Sequence, residues 1–216
     1  MRAKIWFRMI CCGFGLAVLL ATAPAARAGN MVFNDGLPHV FDGCCDDLTV
    51  RNNFWDEPTS VEMVSGAEVG GYAYAYDTSR LTVSGGTIDY HLHAYDSSEV
   101  TVSGGTIGWR LYALGSSQVT VSGGTIEGIM KIYSTLTVEA SDFFISGIPV
   151  PLGTYTRFDE RNPLAGALSG TFGSGETFTN NFEIYDDGQL VLTPEPATLA
   201  LLAVGGLGVL LRRRRA

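Results

Sequence analysis

The chain has 216 residues and carries 14 Lys and Arg against 22 Asp and Glu, which gives a formal net charge of −8. Eight of the basic residues lie in the first 28 and the last 23 residues, so residues 29–193 hold six basic and 21 acidic side chains, a net charge of −15. Such an acidic body argues against nucleic acid as a ligand, because its recognition requires clustered Lys and Arg. About 165 residues are sufficient for one domain with a hydrophobic core.

Residues 1–28 have the three parts of a secretory signal peptide. Basic residues at positions 2, 4 and 8 precede an apolar run at 9–23, and Ala26, Arg27 and Ala28 form a cleavage pattern. We therefore expect export and a mature chain that begins near Gly29. The alternative is an uncleaved anchor helix over the same residues.

Two cysteines, Cys44 and Cys45, lie outside this peptide. Because they are adjacent, neither can form an ordinary disulfide with a distant partner in the chain. A strained vicinal disulfide, free thiols and links between chains all remain open. We favour a structural or incidental role for the pair.

An eight-residue motif recurs at a fixed spacing through the middle of the chain. LTVSGGTI begins at Leu81, and VTVSGGTI begins at Val100 and at Val119, each 19 residues after the one before. Ser65 lies one period earlier, and the segments that begin at residues 46 and 134 resemble degenerate units, the later one slipped by about two residues. A strict short period without a helical pattern predicts a solenoid of stacked rungs.

Within each unit, apolar residues alternate with Thr as on a half-buried strand, and a Gly-Gly pair then turns the chain. A second short strand follows with mostly small apolar residues on one face, which indicates a narrow interior. The predicted inward columns are Leu81, Val100 and Val119; Val64, Val83, Val102 and Val121; Val69, Ile88, Ile107 and Ile126; Ala73, Leu92, Leu111 and Met130; and Ala75, Ala94, Ala113 and Ile132.

These columns predict an all-β fold: a single-stranded parallel β-helix, or solenoid, with rungs of about 19 residues over 29–142 and a β-rich cap over 143–193. Each strand should pair with its copy in the next rung, about 4.8 Å away, and the winding should be right-handed, as in most parallel crossovers. An antiparallel β-sandwich is the alternative fold. It is disfavoured because a sandwich needs no identical units.

Two local contacts follow from this stacking. Arg80 should lie beside Glu99, an opposite-charge pair, and Asp77 should lie beside Asp96, a mildly unfavourable pair. In the cap, the Gly-Ser-Gly sequence at 173–175 separates two alternating segments and is suited to a tight hairpin.

The outward face of the second strand carries aromatic residues in successive units, and we predict a binding strip there. Stacked aromatic rings suit sugar rings or a protein partner. The alternative is that Tyr pairs between rungs only stabilise the sheet. The predicted strip consists of Tyr72, Tyr74, Tyr76, Tyr95, Tyr112 and Tyr133.

His91 and His93 share this outward face with Asp89. Two imidazoles and a carboxylate are a weak candidate site for Zn²⁺ or Cu²⁺. The neighbouring units carry other residues at these positions, so the simpler interpretation is surface variation. We therefore predict no metal and no cofactor.

An enzyme is the rival class of function. Parallel β-helices include lyases and hydrolases of acidic polysaccharides, and Asp77, Asp96 and Arg80 would form the site of such an enzyme here. However, these residues lie in Ser-rich turns, where Asp is common in any protein. The rungs also lack long insertions that would form a groove. We predict no catalytic activity, with a polysaccharide lyase or hydrolase as the alternative.

The C-terminal segment has three parts. Pro194, Glu195 and Pro196 precede an apolar stretch at 197–211, and four arginines follow. Fifteen helical residues span about 22 Å, short of the roughly 30 Å hydrocarbon core, and snorkelling arginines can close this gap. The cluster should stay cytoplasmic, so that the body lies outside. Its members are Arg212, Arg213, Arg214 and Arg215.

This order of Pro-Glu-Pro triplet, apolar helix and arginines resembles the PEP-CTERM sorting signal of exported bacterial proteins. The resemblance covers residues 194–216 and implies processing by an exosortase, which would remove the tail and release or attach the body at the cell surface. A permanent short membrane anchor is the alternative. We predict an exported structural or adhesive protein of the envelope or extracellular matrix, anchored transiently in the inner membrane. Its expected partners are the exosortase and an extracellular polysaccharide or a surface protein.

Overall fold

The computed structural model of the protein describes residues 29–157 and 164–195. This part of the chain is all-β, with 21 strands and no helix. The predicted signal peptide and the sorting residues from Pro196 to Arg215 lie outside the described residues. The strands are β1 (Met31–Phe33), β2 (Pro38–Phe41), β3 (Cys44–Cys45), β4 (Leu48–Val50), β5 (Ser60–Met63), β6 (Glu68–Val69), β7 (Ala73–Ala75), β8 (Arg80–Val83), β9 (Thr87–Ile88), β10 (His91–Ala94), β11 (Glu99–Ile107), β12 (Arg110–Ala113), β13 (Gln118–Ile126), β14 (Ile129–Ile132), β15 (Thr135–Glu139), β16 (Ser141–Ile145), β17 (Ile148–Pro149), β18 (Gly153–Thr156), β19 (Leu164–Thr171), β20 (Thr177–Ile184) and β21 (Gln189–Thr193).

The strands stack in parallel to form a solenoid of about six turns. One wall, sheet A, has the order β18-β21-β15-β13-β11-β8-β5-β2, with β3, β6 and β9 pairing beside it. The other wall, sheet B, has the order β1-β4-β7-β10-β12-β14-β20-β19-β16-β17. Leu92 pairs with both Ala73 and Leu111, each 19 residues away. The predicted solenoid with 19-residue rungs is therefore confirmed.

The inward columns form the hydrophobic core, with one correction. The predicted inward residues of sheet B, such as Leu92, and of the segment that precedes each of its strands, such as Ile107, are buried. The prediction for Val64 is wrong: Met63 pairs with Val83 and is buried, whereas Val64 is only half-buried. Val61 and Met63 alternate inward along β5, and the extra residue is absorbed at the following corner.

The corners bring successive rungs into close contact through glycine. Gly86, Gly105 and Gly124 have φ values of +80°, +76° and +81°, a region that L side chains rarely adopt. A Cβ on Gly105 would lie 2.8 Å from the Gly86 carbonyl oxygen and 2.9 Å from the Gly85 carbonyl carbon. The repeated glycines therefore satisfy two demands, the left-handed backbone and the space for the next rung.

At the opposite corner, Arg80 lies beside Glu99, as the sequence predicts. Its Nε lies 2.6 Å from Glu99 Oε2. Asp77 and Asp96 both have positive φ, and a carboxylate oxygen of Asp96 accepts the backbone N–H of Asp77 at 3.2 Å. The Asp96 side chain thus caps the backbone of the rung before it. This contact is stabilising, whereas the sequence predicts only a mild repulsion between the two carboxylates.

The C-terminal region both extends and closes the stack. β20 pairs in parallel with β14, and β21 pairs in parallel with β15, so two of its strands continue the rungs. β16, β17, β18 and β19 pair antiparallel at that end, and the turn at 173–175 connects β19 to β20 in an antiparallel hairpin, as predicted. At the other end, β1 and β2 are the outermost described strands of their sheets.

Two glycine substitutions should separate backbone strain from rung contact. Gly66 also has positive φ, +94°, but a Cβ there would meet nothing within 4 Å. We expect Gly66→Ala to lower the free energy of unfolding by about 1–2 kcal/mol, through strain alone. Gly105→Ala should cost a further ~1–3 kcal/mol, because its Cβ displaces the neighbouring rung. Urea unfolding of both variants measures this difference, and equal losses would contradict the contact argument.

Candidate functional site

Aromatic side chains cover the outward surface of three successive rungs of sheet B. The parallel register pairs His93 with Tyr74 on one side and with Tyr112 on the other, so their rings stand in one column. Tyr74 and His93 also contact rings along their own strands. We call this surface the aromatic face. It consists of Tyr72, Tyr74, Tyr76, Tyr90, His91, His93, Tyr95, Trp109 and Tyr112.

His93 lies at the centre of the aromatic face. Its ring is nearly parallel to that of Tyr112, with centroids 4.5 Å apart and planes 3° apart. It also stacks on Tyr95 at 5.6 Å and on Tyr74 at 5.3 Å. Tyr76 and Tyr95 extend the stack towards the turn, with centroids 5.0 Å apart. The aromatic face is therefore a continuous layer of rings.

The sequence prediction missed two members of the aromatic face, Tyr90 and Trp109. They are its most exposed residues, at 45% and 49% of the residue surface, and the backbone N–H of Trp109 donates to the backbone carbonyl of Tyr90 at 3.0 Å. Both lie two positions after the inward column of Ile88 and Ile107, where Gly71 and Gly128 stand in the adjacent units. Reading this column at the 19-residue period would have found them.

Tyr133 does not belong to the aromatic face. Leu114 separates it from Tyr95 in the column, and its ring stacks instead on Tyr185, with centroids 4.6 Å apart. Lys131 lies beside this pair, with its Nζ 3.3 Å from a Glu183 carboxylate oxygen. Of the six tyrosines of the predicted strip, the structure brings five together. Those five are half-buried, so the exposed part of the surface is mainly Tyr90 and Trp109.

The histidines of the aromatic face are neutral at pH 7. Burial, and then the neighbouring His91, lower the pKa of His93 to about 4. Burial and the charge of Arg110 lower the pKa of His91. The Arg110 guanidinium lies 5.2 Å from the centre of the Trp109 ring and donates from Nη1 to Tyr112 Oη at 3.2 Å. Its charge is therefore engaged by the rings beside it.

The two imidazoles are engaged with rings rather than arranged around a common point. The His91 and His93 rings meet edge to face, with centroids 5.6 Å apart. Within residues 29–157 and 164–195, no group of three His, Cys, Asp or Glu side chains is placed to hold a metal ion.

The residues of the rival enzyme hypothesis have structural contacts in the described chain. A carboxylate oxygen of Asp77 accepts the backbone N–H of Asn52 at 3.2 Å, and Asp96 caps Asp77 in the same way. Arg80 is paired with Glu99. These side chains thus form a ladder along one corner of the solenoid.

Cys44 and Cys45 are free thiols on β3. Cys45 is fully buried in the core, and burial, followed by the charges of Asp47 and Asp46, raises its pKa to about 12. A thiol of such high pKa stays protonated and packs as a small apolar side chain.

The sorting triplet follows directly from the last strand of the solenoid. Pro194 comes after β21, and the Gly173 N–H in the hairpin turn donates to the Glu195 carboxylate. Residues 192–215 match the family model described as the PEP-CTERM protein-sorting motif. The chain thus carries this motif, which implies an exported protein that an exosortase processes. No curated protein and no solved structure matches the chain.

The described residues contain no helix that is long and apolar enough to cross a membrane. The apolar stretch at 197–211 lies outside them, so the membrane helix of the sorting signal stays a prediction.

The pKa of His93 should make stability depend on pH. An unfolded chain protonates this His near pH 6.5, whereas the folded chain does so only near 4. Because the unfolded state binds the proton more readily, the free energy of unfolding should decrease as the pH falls from about 6.5 through 4. Urea unfolding across this range should show a shallower decrease for His93→Phe than for the wild type. Tyr112→Phe keeps both the ring stack and the titrating group, so it should retain the wild-type slope; equal slopes in all three would contradict the assignment.

Proposed function

We propose that this exported protein is a structural and adhesive component of the cell envelope or extracellular matrix that binds polysaccharide through its aromatic face. The observation that carries the proposal is the continuous layer of rings over three rungs, with Tyr90 and Trp109 exposed. Ring faces pack well against the apolar C–H faces of sugars, and Tyr and Trp add polar atoms that can meet hydroxyl groups.

The charges around the aromatic face favour a neutral polysaccharide over an anionic one. Residues 29–193 carry a net charge of −15, which repels uronate and phosphate groups. The two histidines contribute no positive charge at pH 7, because their pKa values are lowered. Lys131 is paired with Glu183, and Arg110 is engaged with Trp109 and Tyr112.

The solenoid makes this surface suitable for a repeating ligand. Parallel pairing holds equivalent rings about 4.8 Å apart on a rigid wall, so little entropy is lost when a polymer binds. Several weak contacts along one polysaccharide chain then act together. We propose a binding role without catalysis, supported by the corner ladder in which Asp77 and Asp96 cap backbone N–H groups.

Removal of central rings should weaken polysaccharide binding. We expect the double variant Tyr74→Ala/Tyr112→Ala to bind a neutral polysaccharide roughly 5- to 150-fold more weakly, because two stacked rings contribute about 1–3 kcal/mol. Tyr133→Ala is the matched control, since its ring lies outside the aromatic face. A glycan array followed by titration calorimetry measures the affinities, and circular dichroism checks the fold of each variant. No binding by the wild type, or equal binding by wild type and double variant, would overturn the proposal.

Processing by the exosortase should give the exported protein a lower, defined mass. The exported protein should lack Arg212–Arg215, and a Pro194→Ala/Glu195→Ala variant should retain them, since the triplet is the signal for cleavage. Mass spectrometry of protein recovered from the producing cells distinguishes the two. Glu127→Ala, an exposed acidic residue in the body, is the control. An intact arginine cluster in the exported wild type would show a permanent anchor instead.

A further inference from the structure

Exposed apolar side chains mark the capped end of the solenoid. In the part of the chain that the structure describes, Ile148 is exposed at 67% and Leu152 at 53% of the residue surface. Ile148 lies on β17 and Leu152 directly precedes β18, and these are the outermost strands of sheets B and A at this end. Both residues therefore lie at the end of the stack rather than on its side.

The loop that carries Leu152 has an ordered backbone. The Val150 N–H donates to the Phe143 carbonyl at 3.0 Å, and Tyr155 Oη donates to the Pro151 carbonyl at 2.6 Å. These hydrogen bonds tie both sides of the loop to the cap. Leu152 is therefore presented to solvent from a fixed position.

The first residue of the sorting triplet lies on the same surface. Pro194 and Leu152 both line a shallow, open depression in the cap, which is formed mainly by apolar residues of β16 and of the loop between β17 and β18. Ile148 is next to this lining in the chain, through Pro149. We call the continuous surface of Ile148, Leu152 and Pro194 the apolar end.

The sorting tail leaves little distance between the apolar end and the membrane. The sorting motif implies a C-terminal membrane anchor, and the apolar stretch at 197–211 begins three residues after Pro194. Three residues span at most about 11 Å. The headgroup layer outside the hydrocarbon core is itself about 5–8 Å thick. The chain therefore has no linker that would hold its capped end away from lipid.

We propose that the apolar end rests on the membrane surface while the tail is inserted, with Ile148 and Leu152 at the boundary between lipid headgroups and acyl chains. A shallow, open surface suits lipid, because a fluid partner adapts to its shape. The tail holds this surface beside the membrane at a high effective concentration, so a small contact area is sufficient. The proposal rests on the sorting signal and is independent of polysaccharide binding.

The charges at the apolar end favour zwitterionic lipid. Asp142 lines the depression, and residues 29–193 carry a net charge of −15, so anionic headgroups are repelled. The contact is then made by apolar side chains. Because salt screens charges and does not weaken apolar burial, the contact should persist at high NaCl concentration.

Photocrosslinking of the unprocessed protein, inserted through its tail into phosphatidylcholine vesicles, tests the contact. A photoreactive residue in place of Leu152 should form lipid adducts, at low and at high NaCl concentration, and mass spectrometry detects them. The matched control is a photoreactive residue in place of Trp55, which is exposed at 78% in the loop between β4 and β5, towards the opposite end of the stack. This position should form no lipid adducts.

The outcomes distinguish this contact from insertion of the tail. Protein that does not float with the vesicles overturns insertion, and the proposal with it. Protein that floats but forms no lipid adduct at position 152, or equal adducts at 152 and 55, overturns the contact alone. A crosslink from position 152 to residues 197–211 or to a second copy shows another occupant of the apolar end, and this also overturns the proposal.

Removal of the two exposed side chains should weaken the contact. With a photoreactive residue at position 154, Ile148→Ser/Leu152→Ser should reduce the yield of lipid adducts roughly tenfold, because two apolar side chains no longer enter the lipid boundary. Val32→Ser/Leu37→Ser changes two exposed apolar residues at the opposite end and should retain the wild-type yield. Circular dichroism checks the fold of both variants. Equal yields from the two double variants would overturn the assignment of the contact to the apolar end.

Discussion

Parallel hydrogen bonding between rungs is the constraint on which the rest of the structure depends. Once each strand pairs with its copy in the next turn, equivalent residues must stand in columns about 4.8 Å apart. A column in a corner then has no room for a side chain, as the contact of a Gly105 Cβ with the Gly86 carbonyl shows. The repeated Gly-Gly pair is thus a consequence of stacking, and the same constraint selects small residues such as Ala94 for the narrow interior.

Inward and outward columns have different roles: the inward residues stabilise the fold, and the outward residues are available for binding. Inward positions must keep one size and polarity because each contacts its copies above and below, as Leu92 contacts Ala73 and Leu111. Outward positions are free to differ between rungs, and the aromatic face arises where several of them carry rings. His93 has both roles. The rings that form the aromatic face with His93 also bury it, and this burial lowers its pKa.

Much of the fold could be predicted because the period is explicit in the sequence. It correctly aligns Arg80 with Glu99 and most inward columns. It fails at Val64, since the matching letters VSG suggest one register while the alternation of Val61 and Met63 along β5 selects another. The site was less predictable: Tyr90 and Trp109 lie outside the alternating strand pattern, and Leu114, which isolates Tyr133, matters only once ring contacts are seen.

The aromatic face and the sorting triplet lie on different parts of the solenoid. The aromatic face lies on the side of the solenoid, whereas the sorting triplet lies near one end of it, directly after β21. Processing at this end therefore leaves the side of the solenoid free for a ligand. A polysaccharide bound across several copies gains affinity from their number rather than from any single ring.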